Sequence, residues 1–596
     1  MSIISSELLL GAAGAAGGYE IERSVRFNSA DSAYLNRTPS SAGNRKTWTW
    51  AGWVKFSAFT GPYGIFEAPL QGGAGILSDI TEIWYGSGNI HLTDFSTYFF
   101  SSEAKFRDPS AWQHFVFTCD TTQATASNRF KAYQNGVQLV NTASAVITQN
   151  IDTAINNSVP HIIGRNRGSS YTDAYFADIH LIDGQALDPT SFGEFDDNGI
   201  WQPKAYSGSY GTNGFHLPFN NNSTAAALGT DTSGNGNDWT VNNINVGATS
   251  VTNPAWYASS TYYSNVADVL ANATNKGSGS WTASNEYVYL VVNDGGNPGI
   301  NNVSAGNFPI TWYMYRNVGG TLTRQGSFLG TEFNLFDWSN VFDTDTISNN
   351  ADFYIFSSID QNPPTSGQLS GTIPALTTSS FKTLNIINAG NDSLIDSPVN
   401  GTQTDTGAGG EVSGNYCTFS PIDSTSGITL TDGNLRVGQL AGADKSTCGT
   451  FGVSSGKWYW EFQPVSGINA MVGVADLGLP LTSRVYPGAG AFFYYQSNGN
   501  IYGPTLAGTS GAYGASFQLT SDVVGVALDM DTGYVTFYKN GVSQGVANTS
   551  SLLGRTITPC LGNGGVDVVD VVNFGQRLFA YTAPSGYKAL TIANFE

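Results

Sequence analysis

The chain has 596 residues, more than one hydrophobic core accommodates, so three or four domains are expected. Charged residues make up only 12%, aromatics reach 13% and glycines number 71, which suits short strands joined by tight turns and excludes a coiled coil. The net charge of −20 excludes nucleic acid as a partner, since phosphate binding relies on Lys and Arg releasing counterions, and it opposes an anionic membrane surface.

In chain order, residues 1–19 (MSIISSELLLGAAGAAGGY) are apolar and rich in small side chains. They have the texture of a secretory leader but lack its basic start, and Glu7 precedes Leu8–Leu10. A docking or assembly segment is expected there. No uninterrupted apolar run of about 20 residues follows anywhere, so no membrane insertion is expected. Residues 20–244 read as one β-sandwich. Apolar and polar residues alternate over 23–35, 47–57, 112–120 and 129–140, with further strands at 161–166 and 174–184. Asn135-Gly136 between two alternating runs predicts a hairpin with a type I′ turn. Trp48 and Trp50 fall on one sheet face and Trp53 on the other, as core-filling residues.

The run SVRFNSADSAYLNRTPSSAGNRKTWTWAGWVK, followed by WQHFVF, AYQNGVQL, IIGR and YFADIHLIDGQALDPTSFGEF, resembles a laminin G-like, concanavalin A-like jelly roll. It is similar to the version common in bacteriophage structural proteins. That resemblance implies a lectin-like sandwich on a virion. All five histidines (His91, His114, His161, His180, His216) lie within residues 20–244. His114 and His180 sit within strand alternation and read as hydrogen-bonded structural residues; no His-Glu-x-x-His is present. Glu194-Phe195-Asp196 lacks the second Glu that the glycanases of this fold carry, so it reads as a turn and not a catalytic pair. The loop 231–238 is the metal candidate. Asp231, Asn235, Asn237 and Asp238 place side-chain oxygens on a Gly-permitted loop that could wrap calcium, the alternative being an Asx/Gly turn held by its own backbone. Calcium is the one cofactor candidate, and none is required.

Residues 245–388 contain dense strands (286–294, 310–329, 351–359) of no recognisable family. The phrases WTVNNINVG before and DSLIDSPVN after follow each other more directly in the phage proteins, so 245–388 reads as an inserted β domain. Residues 389–414, rich in Gly, Thr and Asp, read as a linker. From 415 to 596, GKWYWEF, VGVALDMDTGYVTFYKNGV and VVNFGQ resemble a SPRY domain, a binding sandwich whose motif positions are not catalytic. Gly452-Val453-Ser454-Ser455-Gly456 has the letters of a nucleophile elbow but lies between strands with no downstream His. Cys119, Cys417, Cys448 and Cys560 read as free buried thiols, with a Cys417–Cys448 pair as the alternative.

The expected class is all-β, tandem antiparallel β-sandwiches (jelly rolls) behind a short docking segment. The expected function is a bacteriophage virion structural protein, a tail fibre or appendage attaching to host cell-surface glycans, and not an enzyme. It would be assembled in the host cytoplasm, meet other virion proteins through the N-terminal segment, and form a homo-oligomer, a trimer by preference. The alternatives are a capsid-decorating or tail-associated protein without a receptor role, and a polysaccharide-degrading tailspike drawing on Asp294, Glu332, Asp337, Asp343 or Asp345.

Overall fold

The computed structural model describes residues 18–69, 76–246, 391–439, 445–480, 490–503, 511–517, 522–547, 552–563 and 568–595, together with the backbone of Ile4–Ser5 and of strands between 247 and 390. The described chain is β throughout, with short 3-10 turns. None of its helices is long and apolar enough to cross a membrane. Residues divide into two compact units, one holding Met1–Val246 with most of Asn391–Glu596, the other Gly247–Gly390.

The first sandwich of unit one is a jelly roll. Its front sheet runs in the order Val137–Gln138, Phe130–Gln134, Gln113–Asp120, Thr47–Phe56, Ala174–Asp183, Ser24–Phe27 and Ser393–Leu394, with Phe215–Leu217 also pairing with Ala174–Asp183. The back sheet orders Thr240–Asn242, Tyr34–Arg37, His161–Ile163, Tyr63–Pro69, Ile80–Gly86, Asn89–Thr93 and Tyr98–Ser101. The run expected as one strand over 23–35 is two, because the 3-10 turn Ser29–Asp31 carries the chain from one sheet to the other. Trp48 and Trp50 fill the core between the sheets while Trp53 faces the other way, as period-2 alternation requires. At the predicted hairpin Asn135 (φ 46°) and Gly136 (φ 79°) are both left-handed, the combination a type I′ turn needs.

The second sandwich pairs two seven-strand paths. One runs from Phe419–Ser424 through Ser446–Gly449, Ile557–Asn563 and Ala470–Asp476 to Gly511–Ala512. The other runs from Ile428–Thr431 through Val568–Asn573, Lys457–Ser466 and Val524–Asp529 to Val542–Val546. Trp458 and Trp460 share its core face. The cysteine expectation is corrected here: Cys448 is bonded to Cys560, and Cys119 and Cys417 are the free, buried ones. Cys448 and Cys560 face each other across adjacent antiparallel strands. Nothing in a separation of 112 residues signals that juxtaposition.

The stretch expected as a linker at 389–414 is likewise corrected. Asp392, Ser393, Leu394, Asp396 and Ser397 are buried, and Ser393–Leu394 extends the front sheet of the jelly roll. Two cations of the first sandwich explain why. Arg26 donates through Nε and Nη2 to Asp392 Oδ1 at 2.9 and 2.7 Å. Lys55 donates to Asp396 Oδ2 (2.8 Å), Asn415 Oδ1 (2.8 Å) and the Tyr416 carbonyl (3.1 Å), so all three ammonium protons are used. Trp112 Nε1–H supplies Asp396 Oδ1. Tyr175 donates to the Gly433 carbonyl, and Asn434 to that of Ser57. A single apolar cluster, with Trp53, Trp112, Tyr175 and Trp201 on one side and the second core on the other, runs through this seam. Composition suggested flexibility, but the buried pairs make the segment structural.

The chain leaves unit one after Val246 and returns at Asn391. The two ends lie side by side: Asp392 N–H donates to the Asn245 carbonyl (2.6 Å), and Asn245 N–H to Asp392 Oδ2 (2.8 Å). Unit two is a seven-stranded sheet in which Ala351–Ser358, Tyr287–Asp294, Trp312–Val318 and Thr321–Phe328 are neighbours in that order. At the N-terminus, Ile4–Ser5 pair in parallel with Phe451–Gly452. Most of the expected docking segment lies outside the described residues.

Candidate functional site

The Ala174–Asp183 strand is antiparallel to Thr47–Phe56, and its register slips between Ala177 and His180. Phe176, Ile179 and Leu181 point into the jelly-roll core, whereas Ala177 and Ile182 pack outside it. One extra residue is therefore accommodated at Asp178, whose φ of 51° is left-handed. Such a bulge re-aims a side chain, and here Asp178 joins His180 on the outer face. His216, on Phe215–Leu217, is the cross-strand partner of His180. Phe215 and Leu217 go to the core, so His216 is outward as well. The two imidazoles stack at 4.2 Å between centroids and 7° between planes.

His216 Nε2 lies 2.7 Å from Asp178 Oδ1, and Tyr19 donates to the same oxygen at 2.9 Å. His180 Nε2 approaches Asp178 Oδ2 at 3.3 Å without hydrogen-bond alignment, which leaves it buried with no aligned partner. The far nitrogens are held by hydroxyls: His180 Nδ1 by Tyr210 (3.0 Å) and His216 Nδ1 by Thr232 (2.8 Å). Burial lowers the affinity of His180 for its proton more than Asp178 raises it. Burial also opposes charge on Asp178, yet its imidazole neighbours hold the carboxyl well below the usual range. The ligand atoms of Asp178, His180 and His216 all lie within 4.8 Å of one another. Sequence reasoning placed His180 among structural residues; the legible signal was Asp-x-His within one strand, while the bulge that aligns the pair was not.

The loop proposed for calcium is assembled otherwise. Asp231 Oδ1 accepts from the N–H groups of His216 and Ser233, and its Oδ2 from Asn237 N–H and the Ser233 hydroxyl. Asp238 Oδ1 accepts from Asp231 N–H. The Asn235 and Asn237 amides donate to carbonyls of 211–214, and Asn237 Oδ1 accepts from Arg37. A guanidinium at the loop and oxygens committed to N–H donors do not fit a calcium shell; this is an Asx-stabilised turn. Asp196 is likewise a turn residue, accepting from the N–H groups of Asn198 and Ile200. His114 accepts from Trp201 Nε1–H and His161 from Asn156 N–H, both structural roles. Glu332, Asp337, Asp343, Asp345 and the Asp294 side chain lie outside the described residues.

A second feature occupies the outer face of the back sheet. Trp84 and His91 are cross-strand partners with rings 4.4 Å apart, and Tyr98 packs edge-on to His91 at 5.1 Å. Gly86 makes room for Trp84, whose ring would meet a Cβ there at 2.3 Å. Phe95 and Tyr98 are 55% and 45% exposed. Arg167 lies over Phe95 and reaches Glu82 Oε2 at 3.1 Å. Glu67 is directly opposite Glu82; burial pushes its carboxyl up to about 7 against the Arg167 N–H that it accepts. Neither carboxylate is open to solvent.

Residues 28–191 match the concanavalin A-like lectin/glucanases superfamily, and residues 457–565 match the SPRY domain. The chain thus carries an N-terminal concanavalin A-like domain and a C-terminal SPRY domain. Among solved structures, it is similar to the SPRY domain of human HERC1 at 19% identity, covering 26% of this chain and 96% of that one with a TM-score of 0.23. The PSpry domain of TRIM65 is 17% identical over 26% of this chain and 91% of that one, TM-score 0.22. A further human SPRY domain is 16% identical over 25% and 95%, TM-score 0.20.

Proposed function

We propose that this chain is an attachment protein of a bacteriophage particle, a tail fibre or similar appendage, which binds host-surface glycans and performs no catalysis. The observation that carries the reading is the ring-bearing face of the lectin-like domain, where Trp84, His91, Tyr98 and Phe95 adjoin the Arg167–Glu82 pair. Aromatic planes beside fixed polar groups suit the apolar face and hydroxyl rim of a sugar ring. Both adjacent carboxyl groups are buried, Glu82 in an ion pair with Arg167 and Glu67 accepting the Arg167 backbone N–H, which suits holding a ligand better than cleaving one. The resemblance of residues 20–244 to phage structural proteins supports the virion setting. In this reading residues 1–19 meet other virion proteins and the chain works as a homo-oligomer, most simply a trimer.

The test uses the assembled particle. An antibody against residues 415–596 should label the tips of projections in electron microscopy, and the purified chain should bind host-surface polysaccharide. Trp84→Ala should weaken that binding about fivefold, the loss of one stacking contact of about 1 kcal/mol. Label flush with the capsid or tail body would make this a decorating protein. Unchanged polysaccharide affinity in Trp84→Ala would remove the ring-bearing face from the account.

A further inference from the structure

We propose that Asp178, His180 and His216 form a binding site for a transition-metal dication of the zinc type, built into the bulge of the front sheet. One carboxylate and two imidazoles, with ligand atoms within 4.8 Å of one another, match the donor chemistry that favours Zn²⁺, Co²⁺ or Ni²⁺ over calcium or magnesium. Three protein ligands leave a fourth position for water or another small ligand. Solvent has a route in, because the His216 side chain is 16% exposed while those of His180 and Asp178 are 2% and 4% exposed.

Two observations point to a ligand beyond the proximity of the three residues. First, buried His180 Nε2 lies 3.3 Å from Asp178 Oδ2 without the alignment of a hydrogen bond. A ring nitrogen so poorly satisfied in the interior is costly, and a metal between the two would use its lone pair. Second, both far nitrogens are already supported: Tyr210 holds His180 Nδ1 and Thr232 holds His216 Nδ1. Metal-binding histidines have this outer support, which fixes the ring and directs the other nitrogen to the ion. The stacked register of His180 and His216 and the left-handed Asp178 hold the three together before any ion arrives. Tyr19, Tyr210, Thr232 and the buried, neutral His114 surround the group, so it carries one formal negative charge to set against a dication. Coordination through Nε2 takes the neutral His216 tautomer with hydrogen on Nδ1, where Thr232 Oγ1 lies 2.8 Å away to accept it, so the proton moves from one ring nitrogen to the other.

The full-length protein, stripped with EDTA, is titrated with Co²⁺ and followed by its visible d–d absorption, then with Zn²⁺ by calorimetry. One equivalent of each is expected, with Zn²⁺ displacing the Co²⁺ bands. His216→Ala should weaken Zn²⁺ binding at least tenfold. Tyr210→Phe keeps the ring and all three ligands, and should still weaken binding about tenfold by freeing His180 Nδ1, so the test stands even if His216→Ala folds poorly. Asp238→Asn, in the 231–238 loop, should leave Zn²⁺ affinity unchanged. Absence of Co²⁺ bands and Zn²⁺ heat would overturn the proposal, as would unchanged affinity in Tyr210→Phe or a loss confined to Asp238→Asn.

Discussion

His161 shows how one buried side chain sets a pH dependence. Its Nε2 accepts Asn156 N–H at 3.0 Å while Nδ1 faces the Val159 carbonyl at 2.8 Å, so the neutral ring with hydrogen on Nδ1 satisfies both partners. A second proton would set Nε2–H against an N–H donor. Burial accordingly holds the ring down at about 4, whereas the unfolded chain protonates near 6.5. Below that value the unfolded state takes up a proton that the folded state refuses, so stability falls as pH drops from 6.5 to 4 and levels off beneath. The slope from this residue alone is about 1.4 kcal/mol per pH unit. Glu461, buried and pushed up to about 7, acts in the opposite sense, because the folded state then holds its proton more tightly than the unfolded one. The expected outcome is therefore differential. His161→Gln should be less stable at pH 7, but its urea midpoint should fall less steeply than that of the wild type between pH 6.5 and 4. Parallel curves would show that His161 is protonated in the fold. Alternation gave His161 its place in a strand, but not the atoms it faces, since Asn156 and Val159 reach it through a turn.

At the scale of elements, turn chemistry was the most legible part of the chain, and its packing consequences the least. Asn135-Gly136 announces a hairpin, but not that Trp201 lies across it. A Cβ on Gly136 would sit 2.4 Å from Trp201 Cζ3, whereas one on Gly168, left-handed at φ 75°, would meet nothing within 4 Å. Gly168→Ala should lose only the backbone preference, roughly 1–2 kcal/mol. Gly136→Ala should lose that and a further 1–3 kcal/mol for displacing Trp201. Unfolding in urea compares the two, and equal losses would mean that Trp201 yields freely. The bulge at Asp178 carries the same lesson. Alternation read straight through Ala174–Asp183 sends Asp178 toward the core, and only the slipped pairing with Thr47–Phe56 turns it outward beside His180.

For the whole molecule the consequential feature is the seam between the two sandwiches, and it rests on buried ion pairs whose acids, Asp392 and Asp396, fall in the stretch expected as a linker. The side chains of Lys55 and Asp396 are 1% and 0% exposed. Lys55→Met would leave the Asp396 carboxylate buried without its counter-charge, held by the neutral N–H groups of Trp112 and Tyr416, a change that removes about 3–5 kcal/mol. The expected calorimetric trace of unit one changes from one cooperative transition to two, the sandwiches melting separately. Adding Asp396→Leu should restore part of the loss, because a buried pair replaced as a pair by apolar groups leaves no stranded charge. A single unshifted transition in Lys55→Met would show that the apolar cluster alone joins the sandwiches.

What the sequence determined by itself was everything carried by local period and turn chemistry: an all-β chain, most strands of both sandwiches, the Asn135-Gly136 hairpin and the inward Trp48 and Trp50. Those features follow from side chains alternating along a strand and from the few residues that tolerate a left-handed backbone. Only the tertiary structure decided the Cys448–Cys560 pairing, the burial of Asp392–Ser397, the ring-bearing face and the convergence of Asp178, His180 and His216. Each depends on residues tens to hundreds of positions apart meeting across sheets, and strand register, which fixes such meetings, is set by packing that no local pattern encodes.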